Sequence, residues 1–370
     1  MRRAISLVLA GVLVIAIVVA VVVSKTGGGS KPSHLHVVHG VIGSEKQPFF
    51  DDPKVKAAFN RAGFDVQVDT AGSQAMATSI DLSKYDFAFP AGTPAAIKIQ
   101  KARKISQTYV PFFTPMAVAS FKSIANLLAS AGVAHQSANG WTLDMKAFMA
   151  LTARNSRWTD LKNNTTYPVS KSILITSTDI STSNSAAMYA GIASYVANGQ
   201  NVVASPAQVQ SVIPAVEPLF LRQGFAESSS EAPFDDYLSI GVGKTPLVMI
   251  YEAQFVDKAA QHDGSITSNM VLLYPDPDIL SKHTLVPLTS TGDAIGRLLS
   301  TDPALQQLAI EHGFRTNDRA AFQRFVQGKH VEVAPDVLDI IEPPTYETLQ
   351  AMITTISKAL HGSAAARLGG

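Results

Sequence analysis

The sequence contains no cysteine among its 370 residues. That absence excludes disulfide bonds, thiolate nucleophiles, cysteine-ligated metal sites and a lipid anchor on an N-terminal cysteine. It does not fix the redox compartment, because a chain of this length can build a core that needs no disulfides.

The sequence also lacks basic blocks and the common catalytic motifs. The net charge is +1 and no lysine- or arginine-rich stretch occurs, so nucleic-acid binding has no electrostatic support. The motifs G-x-S-x-G, S-x-x-K, H-E-x-x-H, Walker A and G-x-G-x-x-G are all missing. His34, His36 and His39 cluster, but only the first two would share a strand face. We therefore predict no enzyme activity, no cofactor and no metal site.

One long apolar run stands at the N-terminus. Ile5 to Val23 spans 19 residues interrupted only by Ser6 and Gly11, a length suited to one membrane crossing. Arg2 and Arg3 precede it, which favours a cytoplasmic N-terminus. The run ends without a small-x-small cleavage site, so an uncleaved signal anchor is favoured over a cleaved signal peptide. The prediction is a single-pass cell-membrane protein: residues 1–4 cytoplasmic, 5–23 transmembrane, 24–34 a flexible linker, and the remainder extracytoplasmic.

After the linker, strand and helix patterns alternate. Residues 35–42, 64–68 and 85–89 read as strands, and Asp52 followed by Pro53 reads as the start of a helix. Alternation of this kind favours a mainly parallel, doubly wound sheet, in which ligands lie beyond the carboxyl ends of the strands. The loops that follow the three strands contain Ser44, Ser73 and Thr93, which we expect to converge on one crevice. Alternatively, each could be an ordinary polar residue of a strand-to-helix loop with no role in ligand binding.

The densest run of hydroxyls lies in the middle of the chain. An apolar run at 173–175, read as a strand, precedes ten mostly hydroxyl-bearing residues at 176–185 and a helical pattern at 186–197. Ser183, Asn184 or Ser185 would cap the helix. Free amide groups and the positive end of the helix dipole meet at such a junction, which favours a negatively charged or oxygen-rich ligand. The alternative interpretation is a capped helix on a Ser/Thr-rich surface loop.

Two segments cross between the ends and the middle of the chain, near 111–121 and 270–288. They predict an inserted second lobe: lobe one from residues 35–115 and 276–370, and lobe two from residues 116–275.

This order of elements resembles the type II periplasmic-binding-protein-like family, the bacterial extracellular solute-binding proteins. The resemblance covers roughly residues 35 to 360 and depends on the order of short motifs. These are Gly43-Ser44-Glu45-Lys46, Ala71-Gly72-Ser73, Tyr85 to Pro90, Thr178-Asp179 through Ser185, Tyr251-Glu252-Ala253-Gln254-Phe255 and Tyr274-Pro275-Asp276-Pro277. It implies an α/β, two-lobed fold with doubly wound sheets, here preceded by one N-terminal transmembrane helix.

The resemblance also implies that a small polar or anionic solute binds between the lobes, for uptake by an ABC-type permease. The family's oxyanion branch uses Ser/Thr hydroxyls and helix N-termini. Glu45 and Glu252 would repel an anion unless they lie outside the contact shell or pair with Lys46, and could instead hold an amine. A sensor or protein-interaction module of the same fold is the alternative function. The expected ligand-binding residues are Ser44, Glu45, Lys46, Ser73, Thr93, Thr178, Ser183, Asn184, Ser185, Tyr251, Glu252 and Tyr274.

Overall fold

The computed structural model of the protein describes residues 35–224 and 226–368. Within those ranges, no helix is both long and apolar enough to cross a membrane. The predicted anchor at 5–23 and the linker at 24–34 lie outside the described residues, and both stay predictions.

The first part of the chain forms a parallel sheet, as its alternating pattern predicted. Strand β1 (His36–Ile42) lies between β2 (Phe64–Thr70) and the short β3 (Phe87–Phe89), and both pairings are parallel. The Asp52 side chain caps the second helix by accepting a hydrogen bond from Lys54 N at 2.6 Å. The helices here are α1 (Gln47–Asp51), α2 (Pro53–Arg61), α3 (Ser73–Thr78) and α4 (Thr93–Arg103).

Two long strands connect the lobes. Strand β4 (Tyr109–Phe121) runs antiparallel to β9 (Asp278–Pro287), and the far end of β9 pairs with β3 in lobe one. Beyond Met116, β4 instead pairs with β7 (Leu247–Tyr251) and β8 (Met270–Asp276) in lobe two. Each long strand therefore contributes to more than one sheet region.

The sheet of lobe two is mixed, not mainly parallel. Its order is β7-β4-β8-β6-β5, with β5 at Ala134–Ser137 and β6 at Gly140–Asp144, and only the β6–β8 pair is parallel. The mainly parallel pairing expected from the first three strands does not extend to this sheet, because β4 enters from lobe one and pairs antiparallel with β7 on one side and β8 on the other. A two-residue strand, β10 (Ile340–Ile341), pairs with the start of β9.

The remaining helices cover the sheets. They are α5 (Lys122–Ser130), α6 (Met145–Ala153), α7 (Asn184–Ala197), α8 (Pro206–Val216), α9 (Pro218–Leu221), α10 (Glu231–Ser239), α11 (Glu252–Gln261), α12 (Ser290–Thr301), α13 (Pro303–Glu311), α14 (Arg319–Gly328) and α15 (Tyr346–Leu368).

The apolar run at 173–175 is not a strand. Ile173 and Ile175 are fully buried, but the segment touches the sheet only at an isolated bridge between Thr176 and Val248. One residue later the Ser177 amide donates to the Gln223 side chain instead of a neighbouring strand, which ends the pairing. The helix predicted next is present as α7.

Separate apolar clusters support the two lobes. One contains Val38, Phe89 and Leu305, and a larger one contains Val118, Ile192 and Leu273. The lobe boundaries given above remain a prediction, but the packing differs from them at the C-terminus. Helix α15, assigned there to lobe one, packs against α7, α8 and α9, and its Met352 lies in the larger cluster.

Candidate functional site

A cavity of about 340 Å³ lies between the two lobes. A volume of this order is typical of small-molecule sites in proteins. Serine and threonine dominate its walls, which come from loops in both lobes. Its lining residues are Gly43, Ser44, Glu45, Gln47, Thr70, Ala71, Gly72, Ser73, Ala75, Thr182, Ser183, Asn184, Ser228, Ser229, Ser230, Glu231 and Tyr251.

The lobe-one wall is built at the carboxyl ends of β1 and β2, where the sequence placed it. Ser44 and Ser73 both line the cavity. The Ser73 hydroxyl also accepts a hydrogen bond from Ala91 N at 3.0 Å, which ties the loop after β2 to the loop after β3. Thr93, the third residue expected in this crevice, is half-buried as the first residue of α4 and does not line the cavity.

A buried charged cluster lies behind this wall. The Glu45 carboxylate pairs with Lys46, and its Oε1 lies 3.4 Å from His283 Nδ1. Lys46 is fully buried, and its Nζ also lies 3.1 Å from His283 Nδ1. Of the three residues, only Glu45 reaches the cavity; Lys46 does not line it.

The cluster fixes the charge of Glu45. Burial by itself would raise the pKa of this carboxyl, but Lys46 and His283 outweigh it and lower the pKa to about 2. Burial and the neighbouring Lys46 lower the pKa of His283 to about 4. At neutral pH, Glu45 is therefore ionised and His283 is neutral.

The lobe-two wall uses part of the hydroxyl-rich loop. Ser183 is the residue before α7, yet its hydroxyl lies 3.0 Å from the Ser185 hydroxyl and makes no capping bond to the helix. Ser185 is fully buried, and Thr178 Oγ1 lies 2.9 Å from its hydroxyl. Ser183 and Asn184 line the cavity, whereas Thr178 and Ser185 do not, because their hydroxyls are turned to one another.

Asn184 connects the lobes. Its Nδ2 donates to Tyr251 Oη at 3.1 Å and to Ser281 Oγ at 3.2 Å, and Ser281 donates in turn to Ala91 O at 2.6 Å. A Cβ at Gly92 would overlap Asn184 Oδ1, so only glycine at this position lets the loop after β3 pack this closely against Asn184. Tyr251 also lines the cavity, and burial raises its pKa, so it presents a neutral phenol.

Glu252 and Tyr274 do not line the cavity. Glu252 is fully buried, and its two carboxylate oxygens accept from Arg315 Nε at 2.7 Å and Nη2 at 2.8 Å. Tyr274 donates to the same carboxylate and accepts from Ala334 N. The contacts of Glu252 and Tyr274 are therefore structural. The chain turns from β7 into α11 between Tyr251 and Glu252, so the Tyr251 side chain reaches the cavity and the Glu252 side chain does not.

The sequence interpretation missed several lining residues, chiefly Ser228, Ser229, Ser230 and Glu231. The signal was present: three serines directly before a helix repeat the pattern used for Ser183 to Ser185. Thr182 lies within the hydroxyl-rich run at 176–185, whereas Thr70 and Gln47 gave no comparable signal. In residues 35–224 and 226–368, no group of three or more histidine or acidic side chains is placed to hold a metal ion.

A second cavity of about 250 Å³ adjoins the first and shares Ser44, Glu45 and Glu231 with it. Phe49, Phe234 and Phe314 give it aromatic walls. Its other lining residues are Pro48, Asp235, Ala253, Gln254, Asp257, Lys258 and His312.

The two lobes touch beside the first cavity. Gln74 N donates to Thr182 O at 3.4 Å across the gap. A Cβ at Gly72 would overlap the same carbonyl oxygen, so the backbones meet more closely than any other residue would allow. This contact therefore closes one side of the hydroxyl-lined space.

No protein-family model and no curated protein matches the chain. Solved structures do match in fold. The sulfate-binding protein of Mycobacterium tuberculosis is 16% identical, covering 85% of this chain and 96% of that one with a TM-score of 0.53. A fructose-6-phosphate-bound periplasmic binding protein of Actinobacillus pleuropneumoniae is 10% identical, covering 89% and 97%, with a TM-score of 0.53.

The apo ferric ion-binding protein of Pasteurella haemolytica is 9% identical, covering 88% of this chain and 96% of that chain, with a TM-score of 0.52. Identities this low establish the architecture and leave the ligand open. The described part of the chain has the two-lobed α/β fold of type II periplasmic-binding-protein-like solute-binding proteins.

Proposed function

We propose that the protein is a membrane-tethered, extracytoplasmic solute-binding protein. It captures a small polar molecule between its lobes and delivers it to an ABC-type permease. The observation that carries the proposal is the cavity of about 340 Å³, with hydroxyl walls drawn from both lobes and a direct contact between the lobes beside it. The sulfate, sugar-phosphate and iron binding of the structures of similar fold supports solute capture as a class.

The test is a thermal-shift screen of the full-length protein in detergent against oxyanions, amino acids, amines and sugars. A ligand that binds only the folded state stabilises it by mass action and so raises the melting temperature. At a free ligand concentration of one hundred times Kd, the added stability is about 2.7 kcal/mol. Titration calorimetry then measures the affinity for each hit. No shift with any solute class would reject solute capture and favour an interaction module.

The tether is a separate prediction. The 19-residue apolar run at 5–23 should hold the protein in the membrane pellet after carbonate washing, with its N-terminal peptide still attached. Mass spectrometry of the pellet and the medium checks this. Mature protein in the medium that begins near Ser24 would contradict it.

A further inference from the structure

The charge of the cavity walls selects among ligands. Glu45 and Glu231 are the only charged side chains among the described residues that line the larger cavity, and no lysine, arginine or histidine joins them. Lys46 compensates Glu45 from outside the lining. A ligand in the cavity therefore meets two carboxylates and no cation.

Glu45 keeps one carboxylate oxygen available. Its side chain is 5% exposed, and both of its described partners, Lys46 and His283, contact Oε1. Oε2 makes no hydrogen bond to any other described residue. The carboxyl end packs over Gly43, where a Cβ would displace it. An ionised, nearly buried acceptor held in place in this way is suited to a hydrogen-bond donor that carries positive charge.

The opposing feature is weaker. Helix α7 starts at the cavity, and a helix N-terminus attracts anions with the equivalent of about half an elementary charge. Helices α3 and α10 also start at the cavity, but α3 has only six residues and Glu231 occupies the first turn of α10. Glu45 adds a full negative charge. In the first cavity an oxyanion would lie beside both carboxylates without a cation. The adjoining cavity adds Lys258 and His312 together with Asp235 and Asp257, so it supplies no net positive charge either.

The adjoining cavity indicates an organic ligand. It shares Glu45 and Glu231 with the first cavity and adds the rings of Phe49, Phe234 and Phe314. Aromatic faces accept both an alkyl chain and an alkylammonium group, whereas a bare inorganic ion would leave them unused.

From this geometry we infer that the interlobe site binds an organic amine: a protonated nitrogen between Glu45 and Glu231, a carbon skeleton against the three phenylalanines, and polar substituents on the serine hydroxyls. The inference rests on the proposed solute-binding function and narrows its substrate class.

The experiment is titration calorimetry of the full-length protein in detergent with three probes: 1,4-diaminobutane, inorganic sulfate and glucose. We expect the diamine to bind and the other two not to bind. Glu231→Gln should weaken diamine binding about tenfold or more, because a hydrogen bond to a charged group is lost. Glu227→Gln is the matched control, since Glu227 is exposed four residues away and does not line the cavity.

Glu45→Gln should weaken binding further, but it leaves the buried Lys46 without its partner and can unfold the chain. Glu231 is exposed at the start of a helix, so Glu231→Gln should leave the fold intact and its effect on binding remains interpretable. Sulfate or glucose binding in place of the diamine, or a diamine affinity unchanged by Glu231→Gln, overturns the amine assignment and leaves solute capture standing. Failure of the wider solute screen rejects solute capture itself.

Discussion

At the scale of single residues, sequence position identified several wall residues but not what each side chain contacts. Ser44, Ser73 and Ser183 line the cavity as expected, because each follows an apolar segment at a loop that opens between the lobes. Glu252 has the same kind of position next to Tyr251, yet its carboxylate binds Arg315, 63 residues further along the chain. The sequence around Glu252 or Arg315 does not predict this ion pair, because the pair forms only when β7 and the loop after α13 pack together.

The Arg315–Glu252 pair should matter for stability. Arg315→Met leaves the fully buried Glu252 carboxylate unpaired, which should lower the free energy of unfolding by about 3–5 kcal/mol. Urea unfolding measures the loss. Arg297→Met is the control: it removes an exposed pair with Asp293 on one helix, which water screens, so its loss of stability should be much smaller. Equal losses in the two variants would show that burial does not set the value of the Arg315 pair.

At the scale of elements, the sequence predicted whether a segment forms a strand or a helix better than it predicted which strands pair. Strands β1, β2 and the crossover β4 lie at or near the segments predicted for them. The mixed sheet of lobe two was not predictable, because an apolar run indicates a buried strand but not its neighbours in the sheet or its direction relative to them. The segment at 173–175 shows the same limit, because its apolar residues are buried without forming a strand.

A contact between helix ends should make stability depend on pH. His312, after α13, lies 3.1 Å from the Asp52 carboxylate that caps α2 and 3.0 Å from Asp257 on α11. Burial opposes the charged imidazole, but Asp257 and Asp52 outweigh it and raise the pKa of His312 above its usual 6.5. The stabilisation is therefore complete below pH 6.5 and is lost as the pH rises through the raised value.

Melting temperatures of the wild type and His312→Gln, measured between pH 5.5 and about 9, check this linkage. The advantage of the wild type over the variant should shrink as the pH rises. A constant difference across that range would show that the imidazole does not titrate against these carboxylates.

At the scale of the whole molecule, the approach of the lobes depends on glycine. Gly72 has φ −65° and ψ 145°, which alanine adopts freely, so Gly72→Ala should leave the local backbone unstrained. Its Cβ would overlap the Thr182 carbonyl of the other lobe, and the lobes should stay apart. We expect weaker binding of any solute held by both walls, with little change in melting temperature.

Calorimetric titration and the radius of gyration from X-ray scattering measure the two effects of Gly72→Ala. Gly328→Ala is the control, since a Cβ there meets nothing within 4 Å. A Gly72→Ala protein that binds as tightly as the control would mean that the Gly72–Thr182 contact is not needed for binding.

The shared strand has a further consequence for folding. β4 pairs with β9 through its first half and with β7 and β8 through its second half, so the sheets of both lobes contain part of this one strand. A lobe that lost its order would strip hydrogen-bond partners from the strands of its neighbour. The lobes should consequently lose structure together, in one cooperative transition, and a protease cut in a surface loop would not release either lobe as an independently folded fragment.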